Sequence, residues 1–508
     1  MSAVAVAPAP RFDPARRRAV TLALLLVSAL ASFESTVVST AMPTIIGDLG
    51  GLPLYAWVFS VYLLTSTIGM PVYGRLADVY GRRRVLLTSI GIFLTGALAC
   101  AFAHTMWTLI AARALQGLGA GGMIPISLTV AADIYSLEQR ARVQGFFSGV
   151  WGFASLAGPL AGGFLTDHFG WRSIFWINLP LGVIAFGIVA SRLIESRASL
   201  ADPIDIAGAA ALAIGFALLL FGVLRAPSET GEPPILRAAL ILSGLATLAG
   251  FIWLQTRRAH PLVPPELFRR WETASPYVAA ILMGTTVYGV DAYVPLFVQG
   301  ARGGTATAAG AVVTPFILMW AISAAAGARM VVRLGFRFTA RLGAVLALAG
   351  IALVLAGAVF NRGVTWMSIS CGVIGSGLGP SSIAQVLAIQ QVAPERQRGI
   401  ATSLVPFFRT VGGSLGVGAL GGIFAAGLSA RLGDQMEAAS RFLAGSQRGV
   451  LGSAPLAPPL FRAAIERSLV PVFAVLVVLA AVNVFLTSGF PGKPVSPAEA
   501  PSAAEGMI

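Results

Sequence analysis

The chain has 508 residues, of which 56% are hydrophobic and only 11% are charged. Its mean hydropathy is +0.82. A water-soluble globule of this length needs more charged surface, so we predict an integral membrane protein. The formal charge of +14 is first explained by orientation in the membrane, because basic residues flank spans on the cytoplasmic side. We therefore expect no nucleic-acid partner.

Apolar runs of about 20 residues, the length that crosses a bilayer, recur along the whole chain. The first follows a tail containing several arginines and continues past Met42, too far for a signal-peptide core, so an uncleaved helix is expected. We predict an all-α membrane protein with fourteen spans, near residues 19–42, 55–76, 84–103, 106–131, 143–166, 173–193, 204–224, 235–255, 275–299, 307–329, 339–360, 364–390, 399–427 and 466–489.

The basic residues predict the orientation of these spans. With the amino terminus inside, 23 of the 35 Lys and Arg residues are cytoplasmic and 10 are outside, while Arg113 and Arg409 lie within spans. Half of these ten outer residues lie in segment 428–465 and at its junction with the last span. In a segment this long, the preference of basic residues for the cytoplasmic side weakens. Nearly all the basic residues are arginine, which with the many Ala and Gly residues suggests a bacterial genome. We expect a bacterial plasma membrane with both termini cytoplasmic.

A charged connection lies between the second and third predicted spans, at Gly74-Arg-Leu-Ala-Asp78-Val-Tyr-Gly81-Arg82. The two glycines are expected to let the chain reverse direction, and Asp78 among arginines is expected to form a latch at the membrane surface. The simpler alternative is an ordinary basic turn. The stretch resembles the corresponding loop of the major facilitator superfamily, which implies that Gly74, Asp78, Gly81 and Arg82 form a conformational latch.

The two halves of the chain echo each other. Gly117-Leu-Gly119 recurs loosely as Gly377-Leu-Gly379, and residues 158–163 recur as 412–416. Two copies of a six-helix repeat, separated by two extra helices, account for fourteen spans. In a repeat of this kind the binding site is expected between the two six-helix bundles. The predicted domains are the tail 1–18, the bundle 19–198, two linker helices in 199–258, the bundle 259–489 with the outer segment 428–465, and the tail 490–508.

The outer segment 428–465 carries charged residues at three- and four-residue spacings from Arg431 to Arg441. This pattern favours a short helical lip before the prolines that follow, with a solvated loop as the alternative.

Glu34 stands near the middle of the first predicted span. A bare carboxylate is costly there, so a Glu facing a cavity that opens alternately to each side can take up and release a proton. The alternative is a structural role, with nearby Ser and Thr residues as partners. The stretch from Ala31 to Pro43 resembles the first-helix signature of the fourteen-span drug:proton antiporters of the EmrB/QacA type, with Glu34 in place of the usual aspartate.

Two further charges are predicted inside the membrane. Asp291, expected about a turn further outward than Glu34, is a second candidate for proton coupling, with a structural hydrogen bond as the alternative. Arg113 has Gln116 on the same helix face and needs a carboxylate, water or carbonyl partner. The Arg113–Gly117 stretch resembles a superfamily motif, which implies a part in proton coupling; a static tie is the alternative. Arg409 and Gln116 are candidates for lining the cavity.

Small residues recur every four positions in the fifth predicted span, which favours close helix packing. The stretch resembles the antiporter motif of the superfamily's fifth helix, with Ala154 in place of its first glycine. The resemblance implies an exporter, with a packing role for Gly149, Gly158, Pro159, Gly162 and Gly163.

The remaining motifs exclude several functions. Cys100 and Cys371 lie in apolar runs and the three histidines fall at span ends or loops, so no metal site is predicted. No phosphate-binding loop with its lysine exists, which argues against an ATP-driven pump.

We therefore predict a proton-driven exporter of small amphipathic compounds, monomeric, without a cofactor, and powered by the proton gradient. The partners would be substrate, protons and lipid. The alternatives are an exporter of a lipid or metabolite, a membrane enzyme acting on lipid, and a channel.

Overall fold

The computed structural model describes residues 13–135, 137–194, 205–224, 234–258, 261, 263–394, 398–432 and 459–492. The long helices in this part are α1 (Pro14–Leu49), α2 (Tyr55–Tyr80), α3 (Arg82–Ala101), α4 (Met106–Ile134), α5 (Leu137–Phe169), α6 (Asn178–Arg192), α7 (Ile206–Leu224), α8 (Pro234–Thr256), α9 (Trp271–Leu296), α10 (Ala306–Leu334), α11 (Phe336–Val359), α12 (Val364–Val392), α13 (Arg398–Leu432) and α14 (Pro459–Leu486). Short helical turns occur at Leu52–Leu54, Ser173–Trp176, Pro265–Phe268, Phe297–Ala301 and Thr487–Gly489.

Twelve helices of the described chain are long and apolar enough to cross a membrane, fewer than the predicted fourteen. The two that fall short are α5 and α7. The apolar run of α7 covers only Ala207–Val223, shorter than a usual span. Helix α5 has 33 residues but is rich in glycine, which contributes little to hydropathy. The fold is an all-helical membrane protein with twelve clear spans.

The helices form two similar bundles. In α1–α6, helix α5 packs on α1, and both α2 and α3 pack on α4. The equivalent pairs recur in α9–α14, where α13 packs on α9 and both α10 and α11 pack on α12. Helices α7 and α8 pair with each other, and α7 also contacts α2 and α13.

Glycines set the same close helix crossings in both bundles. A Cβ at Gly117 would lie 2.4 Å from the carbonyl oxygen of Tyr62, and one at Gly375 would lie 2.1 Å from that of Phe316. The predicted alignment of Gly117 with Gly377 is therefore wrong by two residues, because the structural equivalent is Gly375. Sequence pattern alone misaligned them because Gly-Leu-Gly is a short phrase in a glycine-rich chain.

The buried core divides along the length of α1. Residues of its second part, between 37 and 46, belong to a cluster that continues through α9–α14. Residues of its first part, between 20 and 31, belong to a separate cluster formed by α1–α6, against which Tyr288 also packs. In the described chain, the bundles thus share a core towards the carboxyl end of α1 and have separate cores towards its amino end.

The turn between α2 and α3 depends on one glycine. Gly81 has φ +92°, a conformation that residues with a side chain rarely adopt. Gly74, predicted to help reverse the chain, instead lies inside α2, and a Cβ there would meet no heavy atom of the described residues within 4 Å. That prediction was wrong because the helix continues to Tyr80 before the chain turns. The predicted outer lip after Leu432 falls outside the described residues.

Candidate functional site

Helix α5 fixes the position of α1 beside Glu34. A Cβ at Gly158 would lie 2.0 Å from the Thr36 hydroxyl oxygen, and one at Gly162 would lie 2.6 Å from that of Thr40. Only glycine allows this close approach of the two helices at these positions. A Cβ at Gly149 would meet no heavy atom of the described residues within 4 Å, so the described part of the structure shows no packing contact for it.

Glu34 is fully buried and has partners from two other helices. Its Oε1 forms an ion pair with Nη1 of Arg113 in α4. Its Oε2 accepts a hydrogen bond of 2.7 Å from Nδ2 of Asn178 at the start of α6. Of the partners considered from the sequence, Ser39 bonds Asp291 and Thr40 bonds the Val37 carbonyl, while the side chain of Ser35 lies outside the described part of the structure.

Arg113 is also buried and is held by neutral groups around the ion pair. Its Nη1 donates to Oε1 of Gln116 at 2.8 Å, and its guanidinium lies 3.9 Å from the centre of the Tyr62 ring. The Cys100 thiol approaches the same Gln116 oxygen at 3.6 Å. Such contacts compensate for removing two charges from water.

Gln116 does not line a cavity in this conformation. It is fully buried, and a Cβ at Gly96 of α3 would lie 2.4 Å from its backbone nitrogen. This close approach of α3 to α4 places Gln116 inside the bundle, where it orients Arg113. The prediction that Gln116 is a cavity residue was therefore wrong for this state.

Three polar atoms of this cluster have no hydrogen-bond partner among the described residues. They are Nε of Arg113, Nε2 of Gln116 and Oδ1 of Asn178, all buried. Buried polar atoms are normally paired, so an unpaired acceptor next to a carboxylate needs an explanation.

Asp291 is not brought together with Glu34. It lies in α9, is 5% exposed, and accepts a hydrogen bond of 3.2 Å from the Ser39 hydroxyl. Ser39 follows Glu34 by five residues, so Asp291 meets α1 more than one turn closer to its carboxyl end. It therefore lies at the contact between the bundles, whereas Glu34 lies inside the first bundle.

Arg409 lies in α13, half-buried, and its carbonyl oxygen packs against α9. A Cβ at Gly284 would lie 1.8 Å from that oxygen. Tyr288, one turn further along α9, packs against Gly413 of α13 and against the core of the first bundle. Tyr288 thus lies where the two bundles meet, and Arg409 lies beside it at the α9–α13 crossing.

Several contacts join the bundles at the carboxyl end of α1. The Asp167 carboxylate in α5 accepts hydrogen bonds from the backbone nitrogens of Ala306 and Thr307, at 3.2 and 2.8 Å, and so caps α10. The hydroxyls of Ser60 and Ser414 each donate to the other's carbonyl at 2.9 Å.

Other contacts of this closed end involve Gly163 and Pro159 of the predicted antiporter motif. A Cβ at Gly163 would lie 2.5 Å from the carbonyl oxygen of Ala306, and one at Gly310 would lie 2.1 Å from that of Pro159. Gln299 also donates to the Thr40 carbonyl at 2.9 Å. The motif therefore packs α5 against both α1 and α10.

At the opposite end of the first bundle, Arg82 at the start of α3 forms an ion pair with Asp133 at the end of α4. This acid was not identified from the sequence. The side chain of Asp78 is outside the described part of the structure. The latch assignment for Gly74, Asp78, Gly81 and Arg82 stays a prediction.

Sequence reasoning also missed Asn178, Tyr62 and Asp167. A buried Asn at the start of an apolar helix was a usable signal for Asn178, because polar side chains within the membrane usually have a partner. Asp167 directly follows the antiporter motif, but nothing in the pattern shows that it reaches the other bundle.

The arrangement is a buried pair of one group that can be neutralised by a proton and one that cannot. The described residues contain no group of three or more His, Cys, Asp or Glu side chains that could hold a metal ion. An arginine stays charged whereas a glutamate can be neutralised, so the strength of the Glu34–Arg113 contact depends on a proton.

Comparisons with known proteins agree with this geometry. The model of the Major Facilitator Superfamily matches residues 24–417. "Multidrug transporter protein MdtP" of Bacillus subtilis (strain 168) is 31% identical over 408 residues, which cover 80% of this chain and 75% of that protein. "Multidrug resistance protein 3" of the same organism is 31% identical over 399 residues, covering 78% of each.

The crystal structure of a bacterial homologue of the human lysosomal transporter Spinster, inward-facing and unoccupied, has a TM-score of 0.68. It is 17% identical and covers 96% of this chain and 100% of its own, which shows the likeness of fold alone. The family model and the two Bacillus relatives carry the assignment further: this chain belongs to the Major Facilitator Superfamily and is a multi-pass membrane transporter, not an enzyme.

Proposed function

We propose that this protein is a proton-coupled exporter of small amphipathic, drug-like compounds that works by alternating access. The observation that carries the proposal is the buried Glu34–Arg113 pair in the first bundle. A proton on Glu34 neutralises the carboxylate and weakens its attraction to Arg113, and so changes the balance between two conformations. The energy source is the proton gradient, and no cofactor takes part.

The closed end of the bundles supports an inward-facing conformation. The contacts of Asp167, Ser60 and Gln299 all join the bundles at the carboxyl end of α1. We take this as the outer end because the predicted cytoplasmic segments hold most of the basic residues. The separate cores lie at the other end. Outward opening would break these contacts. In this proposal the Gly158–Gly163 stretch is the surface on which the bundles pack, and the α2–α3 turn is the latch that holds the inner end closed.

Fourteen spans remain the arrangement that we propose. Helix α5 crosses between α1 and α10 along much of its 33 residues, and glycine accounts for its low hydropathy. Helix α7 packs against α2 and α13 as well as α8, which suits a span beside the bundles. Together with the twelve clear spans, α5 and α7 give fourteen spans, the number typical of the EmrB/QacA subtype. The proposed arrangement has a six-helix bundle on each side of the linker pair, with both termini in the cytoplasm of a bacterium.

The substrate class comes from the relatives. The two Bacillus proteins are named for multidrug transport and multidrug resistance. Half-buried Arg409 with Tyr288 near the bundle contact would suit an amphipathic molecule that has both an aromatic and a polar part. The working unit is taken to be the monomer, surrounded by lipid, because each bundle completes its core within one chain.

Transport in proteoliposomes tests the proposal. With an acidic interior, we expect uptake of cationic dyes that a protonophore abolishes, because protons leaving the vesicle drive the substrate in. Glu34→Gln should remove this pH-driven uptake, while the same change at exposed Glu272 should not. Anionic drugs and fluorescent lipids complete the panel. Uptake that is insensitive to the protonophore would contradict proton coupling, and transport of lipids alone would favour the lipid-exporter alternative.

A further inference from the structure

The two carboxylate oxygens of Glu34 have different surroundings. Oε1 faces the guanidinium of Arg113, which is a permanent cation with donors only. A proton on Oε1 would point at another donor. Oε2 faces the Asn178 amide at 2.7 Å. The proton that Glu34 takes up therefore belongs on Oε2.

An O–H on Oε2 needs an acceptor, and the Asn178 amide has one to offer. In the present conformation Nδ2 donates both to Oε2 and to the Ile174 carbonyl, the latter at 3.2 Å. The Oδ1 atom is buried with no partner among the described residues. Half a turn of the amide exchanges the two atoms and places the acceptor towards Glu34.

The other groups that face Glu34 cannot take this part. Arg113 of α4 is a donor only, and Tyr62 of α2 lies against the guanidinium. The Cys100 thiol of α3 is directed to Gln116, and Tyr288 of α9 packs at the edge of this cluster. Gln116 of α4 also lies beside the pair, but its Oε1 already accepts from Arg113 and from the Cys100 thiol. Among the described residues, Asn178 is therefore the amide that lies at Oε2 with an unpaired oxygen.

We propose that Asn178 is a positioning residue for the coupling proton: its amide donates to charged Glu34 and, after turning, accepts from the Oε2–H of protonated Glu34. This inference rests on the proposed proton coupling. A hydrogen bond to a charged acceptor is stronger than one to a neutral acid, so the amide favours the charged form on balance. Its loss should make Glu34 release its proton only at higher pH.

The test replaces the amide by an apolar group of similar shape. For Asn178→Leu we expect the midpoint of substrate-induced proton release, measured against pH, to move up by about one pH unit. Asn178→Gln, which keeps the amide, should restore much of the wild-type midpoint. The matched control is Asn483→Leu, because Asn483 is another buried asparagine, in α14 and away from Glu34. A purely structural role would lower the amplitude in Asn178→Leu without moving the midpoint.

Infrared difference spectroscopy supplies the second readout. The carbonyl stretch of protonated Glu34, assigned by its loss in Glu34→Gln, should move to higher frequency in Asn178→Leu because the O–H loses its acceptor. An unchanged band together with an unchanged midpoint would overturn this inference alone. If the wild type releases no proton, or Glu34→Gln releases as many as the wild type, the proposed function fails and the inference with it.

Discussion

The centres of the two bundles share a framework but carry different side chains. In the first bundle, Glu34 of α1 faces Arg113 of α4. The glycine crossings that equate Gly117 with Gly375 place Cys371 at the position of Arg113. Gly162 packs on Thr40 in the first bundle as Gly416 packs on Thr285 in the second, so Thr40 and Thr285 are equivalent. Six residues before them, Ala279 is therefore the equivalent of Glu34.

Both replacements are small, uncharged and buried. The repeat has kept the contacts that build a bundle while only one copy carries an ion pair. We infer that proton coupling is a property of the first bundle, and that the second supplies a matching surface for it to move against. Substitutions should therefore have unequal effects in the two halves where the charges differ, and equal effects where the glycine crossings are shared.

The largest contrast is expected between Arg113→Leu and Cys371→Ala. The first leaves Glu34 charged, buried and unpaired, a loss of about 3–5 kcal/mol. The second removes one apolar atom, a loss of roughly 1 kcal/mol. Thermal unfolding of purified protein measures both. Adding Glu34→Gln to Arg113→Leu should recover much of the stability but no coupled transport; a double variant as unstable as the single one would show that the ion pair is not the cause.

The glycine crossings should respond equally in the two halves. A Cβ at Gly162 would lie 2.6 Å from the Thr40 hydroxyl oxygen, and one at Gly416 would lie 2.3 Å from that of Thr285. We expect Gly162→Val and Gly416→Val each to lose about 1–3 kcal/mol through overpacking. Gly149→Val is the control within the same motif, because a Cβ there meets open space. Membrane-inserted yield and melting temperature are the measurements, and a tolerated Gly162→Val would contradict the crossing.

The turns before α3 and α11 should also respond equally, by a smaller amount. Gly81 has φ +92° and Gly335 has φ +89°, so an added side chain strains the backbone at both. Gly81→Ala and Gly335→Ala should each cost about 1 kcal/mol. Gly74→Ala, inside α2 with open space around it, should cost none. A loss at Gly74 equal to that at Gly81 would mean that another conformation packs against this residue.

The smallest effect is expected where the outer contacts of the halves differ. Asp167 caps α10, but at the equivalent crossing Gly421 packs against Ala56. Asp167→Asn keeps the shape and removes the charge, so it should weaken outer closure by about 0.5–1 kcal/mol. Distances between spin labels on α5 and α10 would report a larger outward-open fraction. Ser60→Ala removes one of the paired hydroxyls, and its effect on the outward-open fraction shows how much a neutral contact contributes to outer closure.

The sequence was informative where the physics is local. Long apolar runs predicted the spans, and a charge in the middle of one marked Glu34 and Arg113, because such residues need partners in lipid. It did not show that they would be each other's partner, since Glu34 and Arg113 are 79 residues apart and five helices meet there. Asn178 and Asp167 were not identified for the same reason, because their partners are distant in sequence. Gly74 and Gly81 looked alike in sequence, and only the end of α2 distinguishes them.

Substrate-induced proton release from purified wild-type protein and Glu34→Gln measures whether Glu34 carries the coupling proton. We expect the wild type to release protons on substrate binding in a pH-dependent way, whereas Glu34→Gln binds substrate and releases none. Glu34→Asp, which restores the residue usual in the resembled antiporters, should release protons like the wild type. If Glu34→Gln releases a proton per substrate with unchanged pH dependence, Glu34 is structural, the contrast between the bundles has no part in coupling, and Asp291 becomes the leading candidate.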